Sequence, residues 1–277
     1  MEASSLESGL RHLSSAGNTL NVYELTSLQV ALFTLQEKEG KGKAFFWGRI
    51  NGGIDDYYIA YMLEDSDYIF PKKKMFWSTG RFEFRPLPEC NRTGDRYKCH
   101  YKTALCTSNA EESKRLFRSP QSDEEEGGDE DKEQDIAETL YLSSLVKRID
   151  FATAAVPRGA HRLHGSKVIP APEFKGLTFE EAENLSSWVH FRPAEDLEAL
   201  RAQISKDYQF TTEFLQSLQA DVPRGSWATR FDPVSNCVTV RSLLWPGYIA
   251  YSIVNTKEFG GVYFGGGEEA AELPFLL

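Results

Sequence analysis

The first forty residues place apolar side chains with the period of a helix. Leu6, Leu10 and Leu13 share one face, and Leu25, Leu28, Leu32 and Leu35 share another, because residues three and four apart lie above one another on a 3.6-residue turn. Asn21 with Glu24 three positions on is a capping-box pattern, in which the Asn side chain takes a free amide and the Glu reaches back. Gly40 is placed to end that helix. The simplest use of such stripes is core packing; a dedicated partner-binding helix is the alternative.

From Ala44 the period changes to two. Ala44 to Ile50, the turn Asn51-Gly52-Gly53, and Asp55 to Leu63 read as a β-hairpin, with Phe45, Trp47, Tyr57, Ile59 and Tyr61 as bulky strand residues. Phe76 to Phe84 reads as another strand, closed by Pro86 and Pro88. Leu140 to Ile149 fits either a strand or a helix, and Phe151 to Val156 reads as a strand. Val156-Pro157-Arg158-Gly159 and Val222-Pro223-Arg224-Gly225 are the same four residues, each able to turn the chain with Pro fixing φ and Gly accepting a positive one. They mark two similar turns or a coincidence. Thr178 with Glu181 is a second capping box, opening a helix to about Trp188. Asp196 to Lys206 and Thr211 to Gln219 carry helical stripes of Leu197, Leu200 and Ile204, and of Phe214, Leu215 and Leu218. Four strands then end the chain: Ser226 to Asp232, Cys237 to Leu243, Tyr248 to Asn255 and Gly261 to Phe264, with Trp245-Pro246-Gly247 as a corner.

Helices and strands come in blocks, which predicts an α+β fold: antiparallel sheet, N-terminal and central helices, and one long acidic loop. The organisation expected is an N-terminal helical segment, 1–43, followed by one α+β domain, 44–277. The second carries an acidic insertion at about 107–134, expected to be disordered because Asp123-Glu124-Glu125-Glu126-Gly127-Gly128-Asp129-Glu130-Asp131 cannot bury apolar surface and repels itself. Ser122 precedes that run, where an acidophilic kinase could modify it, although short matches of this kind are frequent.

Charge and composition narrow the function. The formal net charge is −10 over 277 residues, yet ten acidic side chains and one lysine fall between Asp123 and Glu138. The rest is therefore near neutral, and with no basic stripe nothing points to nucleic acid. No apolar run approaches the ~20 residues that span a bilayer, and the start lacks the blocks of a signal peptide. A cytoplasmic setting is expected, with the sequons at Asn91 and Asn184 unused and Cys90, Cys99, Cys106 and Cys237 as reduced thiols.

Catalytic signatures are weak throughout. Gly265-Gly266-Gly267 runs into Glu268-Glu269, where carboxylates would repel phosphate, so it reads as a turn after a strand. There is no Gly-x-Ser-x-Gly elbow. His161 and His164 lack further ligands nearby and read as turn histidines, and Asp55-Asp56, pointing opposite ways in a strand, flank a hairpin turn. No catalytic, cofactor-binding or metal residue is singled out, no cofactor is expected, and partner-contact residues are unknown. What the chain has in quantity is five Trp and twelve Tyr, residues that suit cores and protein interfaces alike.

Ordered blocks carry a family resemblance. They are Phe46-Trp47-Gly48-Arg49-Ile50 with Asp56-Tyr57-Tyr58-Ile59-Ala60, Val156-Pro157-Arg158-Gly159-Ala160, Phe174-Lys175-Gly176-Leu177-Thr178, and Leu185-Ser186-Ser187 with His190-Phe191-Arg192. Pro223 to Trp227, Val240 to Gly247, Tyr263-Phe264-Gly265 and Glu272 to Leu277 follow. Together they resemble the radial spoke head protein 9 family of the axoneme of motile cilia and flagella. The Pro-Arg-Gly and Leu-Leu-Trp-Pro-Gly pieces also look like spoke head proteins 4 and 6. The first 43 residues match less well, and the acidic run departs from animal members. The resemblance implies a structural, non-enzymatic protein of the cytoskeleton. It would assemble with spoke head proteins 4 and 6 and neighbouring head subunits, and the assembled head would contact central-pair projections and help regulate dynein and motility. Two other classes remain open at this point: a soluble adaptor with the same fold outside the axoneme, and an enzyme with an unrecognised site.

Overall fold

The capping box and the leucine stripes form as the spacing predicts. In the computed structural model, which describes residues 1–14, 19–40, 42–66, 69–89, 114–118, 133–164, 167–194 and 213–276, helix α1 spans Leu6–Leu13 and helix α2 spans Val22–Glu39. Asn21 Oδ1 accepts from the Glu24 amide at 2.8 Å, and Glu24 Oε2 accepts from the Asn21 amide at 2.7 Å. Gly40 ends α2 in the left-handed conformation, its amide bonded to the Gln36 carbonyl. Leu28, Leu32 and Leu35 are buried, so this stripe is core.

Aromatic and β-branched runs build the sheet. Ala44–Ile50 (β1), Tyr57–Glu64 (β2), Lys72–Ser78 (β3) and Arg85–Pro86 (β4) form one antiparallel meander. In the middle of the chain, Lys114–Arg118 (β5) pairs with Glu133–Ala137 (β6), and helix α3, Glu138–Thr153, follows. Ala155–Pro157 (β7), His161–His164 (β8), Lys167–Pro170 (β9), helix α4, Phe179–Glu183, and Trp188–His190 (β10) come next. Trp227–Asp232 (β11), Cys237–Ser242 (β12), Tyr248–Ile253 (β13) and Phe259–Gly265 (β14) form a second antiparallel meander. Among the described residues the two meanders make one eight-stranded sheet, ordered β11-β12-β13-β14-β1-β2-β3-β4. The acidic run 123–131 lies outside the described residues, as does the stripe 196–206.

The join between the meanders is the one parallel pairing of this mostly antiparallel sheet among the described residues: Gly48, Arg49 and Ile50 of β1 lie opposite Tyr263, Phe264 and Gly265 of β14. A bulge between Phe46 and Gly48 shifts the register against β2 there. Gly48 has φ +155, and a Cβ on it would sit 2.2 Å from the Tyr263 carbonyl oxygen. The close approach of β1 to β14 therefore requires the residue with no side chain.

Both faces of the sheet are covered. Tyr57, Ile59, Trp77, Val238, Val240, Tyr248 and Tyr263 face α3, with Leu142, Leu145, Val146 and Ile149, and the segment around Trp188. Their alternate neighbours Tyr58, Ala60, Phe76, Cys237, Ile249, Val262 and Phe264 face α1 and α2. Strands buried on both sides lose the polar alternation of a half-exposed sheet, which is why their sequences run almost continuously apolar.

Several expected boundaries move. Helix α3 continues through Phe151 to Thr153, because Leu142, Leu145, Val146, Ile149 and Thr153 keep one buried helical face; the strand expected at Phe151 to Val156 shrinks to β7. The strand expected at Phe76 to Phe84 lies earlier, at Lys72–Ser78, and gives way to a turn closed by the Phe82 amide on the Thr79 carbonyl, with Phe82 at φ 56. Helix α4 has its capping box at Thr178 and Glu181 but stops at Glu183, and Trp188 is drawn into β10 opposite Pro157. In the described part of Thr211 to Gln219 there is no α-helix. Val189 bridges Ser217, and only Leu218–Ala220 makes a 3-10 turn. His161 and His164 sit at the two ends of strand β8 rather than in a turn.

Candidate interaction site

Polar side chains on the α3 face are used for structure. Asp150 takes the Trp47 indole N–H at 3.1 Å and the Lys73 ammonium at 2.7 and 2.6 Å. Tyr57 Oη bonds Glu138 Oε1 at 3.0 Å, and the Ala155 amide donates to Tyr248 Oη at 2.9 Å. The Trp188 indole donates to the Ala182 carbonyl at 2.9 Å. Each gives a buried polar group its partner, as burial demands. Trp245, in the corner between β12 and β13, is 3% exposed and packs in the same core, with the Arg148 guanidinium 5.4 Å from its ring centroid.

Among the described residues, most groups with catalytic potential are buried or already bonded within the fold. His190 Nε2 lies 2.9 Å from both oxygens of Asp221, and the Trp227 indole N–H donates to Asp221 Oδ2 at 2.8 Å. A His-Asp pair can orient a base, but His190 is 1% exposed and its other ring nitrogen is buried without a hydrogen-bond partner. Among the described residues its ring makes no hydrogen bond to a hydroxyl or thiol that could serve as a nucleophile. Burial pushes the Cys237 thiol up to about 11, away from the thiolate that reacts. Burial brings the His161 imidazole down to about 4, where its ring lies tilted against Phe191 with centroids 4.4 Å apart. His164 is exposed. Asp56 accepts from the Gly52 amide at 3.1 Å and lies 3.5 Å from Arg49, holding the β1–β2 turn as expected. Gly265 ends β14 and the Gly267 amide bonds Tyr263 Oη, a turn after a strand. Among the described residues no three His, Cys, Asp or Glu side chains gather as metal ligands would, and no helix is long and apolar enough to cross a membrane.

Two surface features remain. The outer side of α2 is apolar as well as its inner side: Val22 is 80% exposed and Val30 65%, with Tyr23 and Phe33 beside them. Tyr23 and Val30 line a groove whose far wall is the turn carrying Phe82 and Phe84. The second feature joins the repeated tetrapeptides. The Ala160 amide donates to the Pro157 carbonyl at 3.2 Å and the Ser226 amide to the Pro223 carbonyl at 3.3 Å. Gly159 and Gly225 occupy the third positions at φ 82 and 87, as in a type II turn. The two turns are therefore alike. Pro stands first in each and supplies the closing carbonyl, rather than the fixed central φ expected from the sequence. Arg158 and Arg224, the second residues of these turns, line one cavity of about 560 Å³. Sequence reading found the repeat but not this convergence, since 66 positions separate the two arginines and no periodicity encodes it.

Comparison with known proteins places the chain. No family model matches it. It is 33% identical over 278 residues to the radial spoke head protein 9 homolog of Mus musculus, 32% over 280 residues to that of Homo sapiens, and 31% over 278 residues to that of Bos taurus. Each match covers 100% of both chains. The chain belongs to the radial spoke head protein 9 family. The radial spoke head protein 9 likeness thus spans the N-terminal helices as well as the blocks that first suggested it. Within the fold those blocks do different work. The Trp47 and Tyr57 blocks build β1 and β2, the Trp245 block forms a buried corner, and the two Pro-Arg-Gly blocks shape a cavity at the surface.

Proposed function

We propose that the chain is a structural, non-catalytic subunit of the radial spoke head in the axoneme of motile cilia and flagella. In this reading it assembles with spoke head proteins 4 and 6 and neighbouring head subunits, and the assembled head meets central-pair projections and helps pass their signal to dyneins. The observation that carries it is the end-to-end likeness to radial spoke head protein 9 homologs of three mammals. Two features of the molecule agree with it. His190 and Cys237 are buried in the fold, and α2 keeps apolar residues on its solvent side, where a monomer gains nothing from them.

Fractionation tests the reading. In cells bearing motile cilia, the tagged chain is expected to stay with detergent-extracted axonemes and to co-purify with spoke head proteins 4 and 6. Its loss should remove or weaken the head and give stiff or irregular beating. Release of the chain into the detergent-soluble fraction, with intact heads in cells that lack it, would overturn the proposal.

A further inference from the structure

The cavity between the two Pro-Arg-Gly turns is built like a receptor for carboxylates. Arg158 and Arg224 are exposed and, among the described residues, neither has a hydrogen-bonding or ionic side-chain partner. No Asp or Glu of the described residues lines the cavity. Asp221 lies close in sequence, but its oxygens are held by His190 and Trp227. Two unneutralised guanidiniums on one concavity make a local positive field in a chain that is acidic overall.

The walls that carry them are fixed. The Arg158 amide donates to the Ser187 carbonyl at 2.7 Å, tying the first turn to the 3-10 turn beside β10. The second turn is held from both sides: the Leu243 amide donates to the Ser226 carbonyl at 2.8 Å, and the Asp221–Trp227 bond clamps its other end. The fixed turns set where each arginine leaves the backbone, and its planar fork fits the two oxygens of a carboxylate. The rest of the lining is mixed, with Leu185, Leu218, Ala220 and Trp227 as its apolar part and Ser186, Ser217 and Gln219 as its polar part. Beside Arg224, Val222 is 87% exposed. A small free anion would have no use for either apolar feature.

We propose that this cavity docks an acidic peptide segment of a partner protein, with Arg158 and Arg224 each taking a carboxylate and an apolar side chain of the peptide settling between them on Leu218 and Trp227. Charge complementarity selects the occupant, and the apolar floor sets it apart from inorganic phosphate. The proposal goes beyond the spoke head reading and does not depend on it, because the isolated chain is enough to test it.

The probe is a fluorescein-labelled twelve-residue peptide of repeating Glu-Leu-Glu-Glu, followed by anisotropy on the purified full chain. Saturable binding that weakens as salt rises is expected. Arg158→Gln and Arg224→Gln should each weaken binding about 3- to 10-fold, and the double variant about 30-fold or more, while Arg158→Lys and Arg224→Lys fall in between because they keep charge but lose the fork. Arg81→Gln, which removes an exposed arginine elsewhere, should change nothing. Both arginines are at the surface, so melting temperatures should stay within about 1–2 °C of the parent; if the double variant melts early, the two single variants carry the measurement. Absence of saturable binding would overturn the proposal. So would equal binding by the double variant, equal binding of the Gln-for-Glu peptide, or displacement by inorganic phosphate at concentrations comparable to peptide.

Discussion

On one side of the eight-stranded sheet the cover is two helices that meet Phe46, Ala60, Phe76 and Phe264 with leucines from α1 and α2. On the other side the apolar face of α3 and the segment around β7 and β10 meet Trp47, Trp77, Tyr248 and Tyr263, and the polar ends of Trp47 and Tyr248 are bonded across long stretches of chain. The leucine side rests mostly on apolar area, with its directional bonds to α2 at Glu24, which takes the Tyr58 hydroxyl at 2.7 Å, and at Glu39, which takes the Lys74 ammonium at 2.6 Å. The aromatic side adds directional bonds, so α3 sits where Asp150 meets both Trp47 and Lys73. Non-directional burial supplies stability, and bonded aromatics also fix position. The face with the stricter cover is also the one whose covering segment supplies both turns or anchors of the arginine cavity, through β7, β10 and the residues after Ser217.

That contrast gives a graded set of expectations. Trp245→Ala on the aromatic side should cost about 3–5 kcal/mol, and Leu32→Ala on the leucine side about 2–4 kcal/mol, since both are fully packed. Denaturant titration of the two variants measures the difference. Equal costs, or no change for Trp245→Ala, would erase the distinction.

Acid should act next at His161, whose ring lies against Phe191 in the β8–β9 region. His161 is neutral in the fold, with its pKa brought down to about 4 by burial, whereas an unfolded histidine titrates near 6.5. The unfolded chain therefore binds the extra proton first. Its contribution to stability is complete above pH 6.5 and is lost as pH falls towards 4, by roughly 3 kcal/mol at most. The melting temperature of the parent should fall more steeply than that of His161→Gln over this window. Parallel curves would show that His161 does not set this pH dependence.

The smallest effect belongs to the leucine side. Asn21→Ala removes one half of a capping box and should cost about 1 kcal/mol by frayed α2 alone. Hydrogen exchange of the first α2 amides should rise, while amides of α3 stay protected. Loss of protection in both would mean that the two covers unfold together.

How much could be read in advance follows the same division. The leucine stripes, the Asn21–Glu24 and Thr178–Glu181 boxes, Gly40 and the hairpin turn are local signals, each complete within a few residues, and each is found in place. The C-terminal strands were legible because Pro, Asn and Gly punctuate them. Phe151 and Trp188 were misread for one reason. Tertiary packing overrules the local pattern in both: the buried face of α3 draws Phe151 into a helix against its β preference, and pairing to Pro157 draws Trp188 out of the helical stretch into a strand. The segment after Glu213 was misread because its leucines keep helical spacing while its backbone is claimed by Val189 and His190.

The sequence by itself therefore determined the two capping boxes, the first hairpin and the C-terminal strands, because these depend on neighbours along the chain. Only the tertiary structure decided that β1 runs parallel to β14, that Asp150 holds both Trp47 and Lys73, and that Arg158 and Arg224 share one cavity. Each of these joins residues from 66 to more than 200 positions apart, and such contacts are selected by how whole layers pack rather than by any pattern a local stretch can carry.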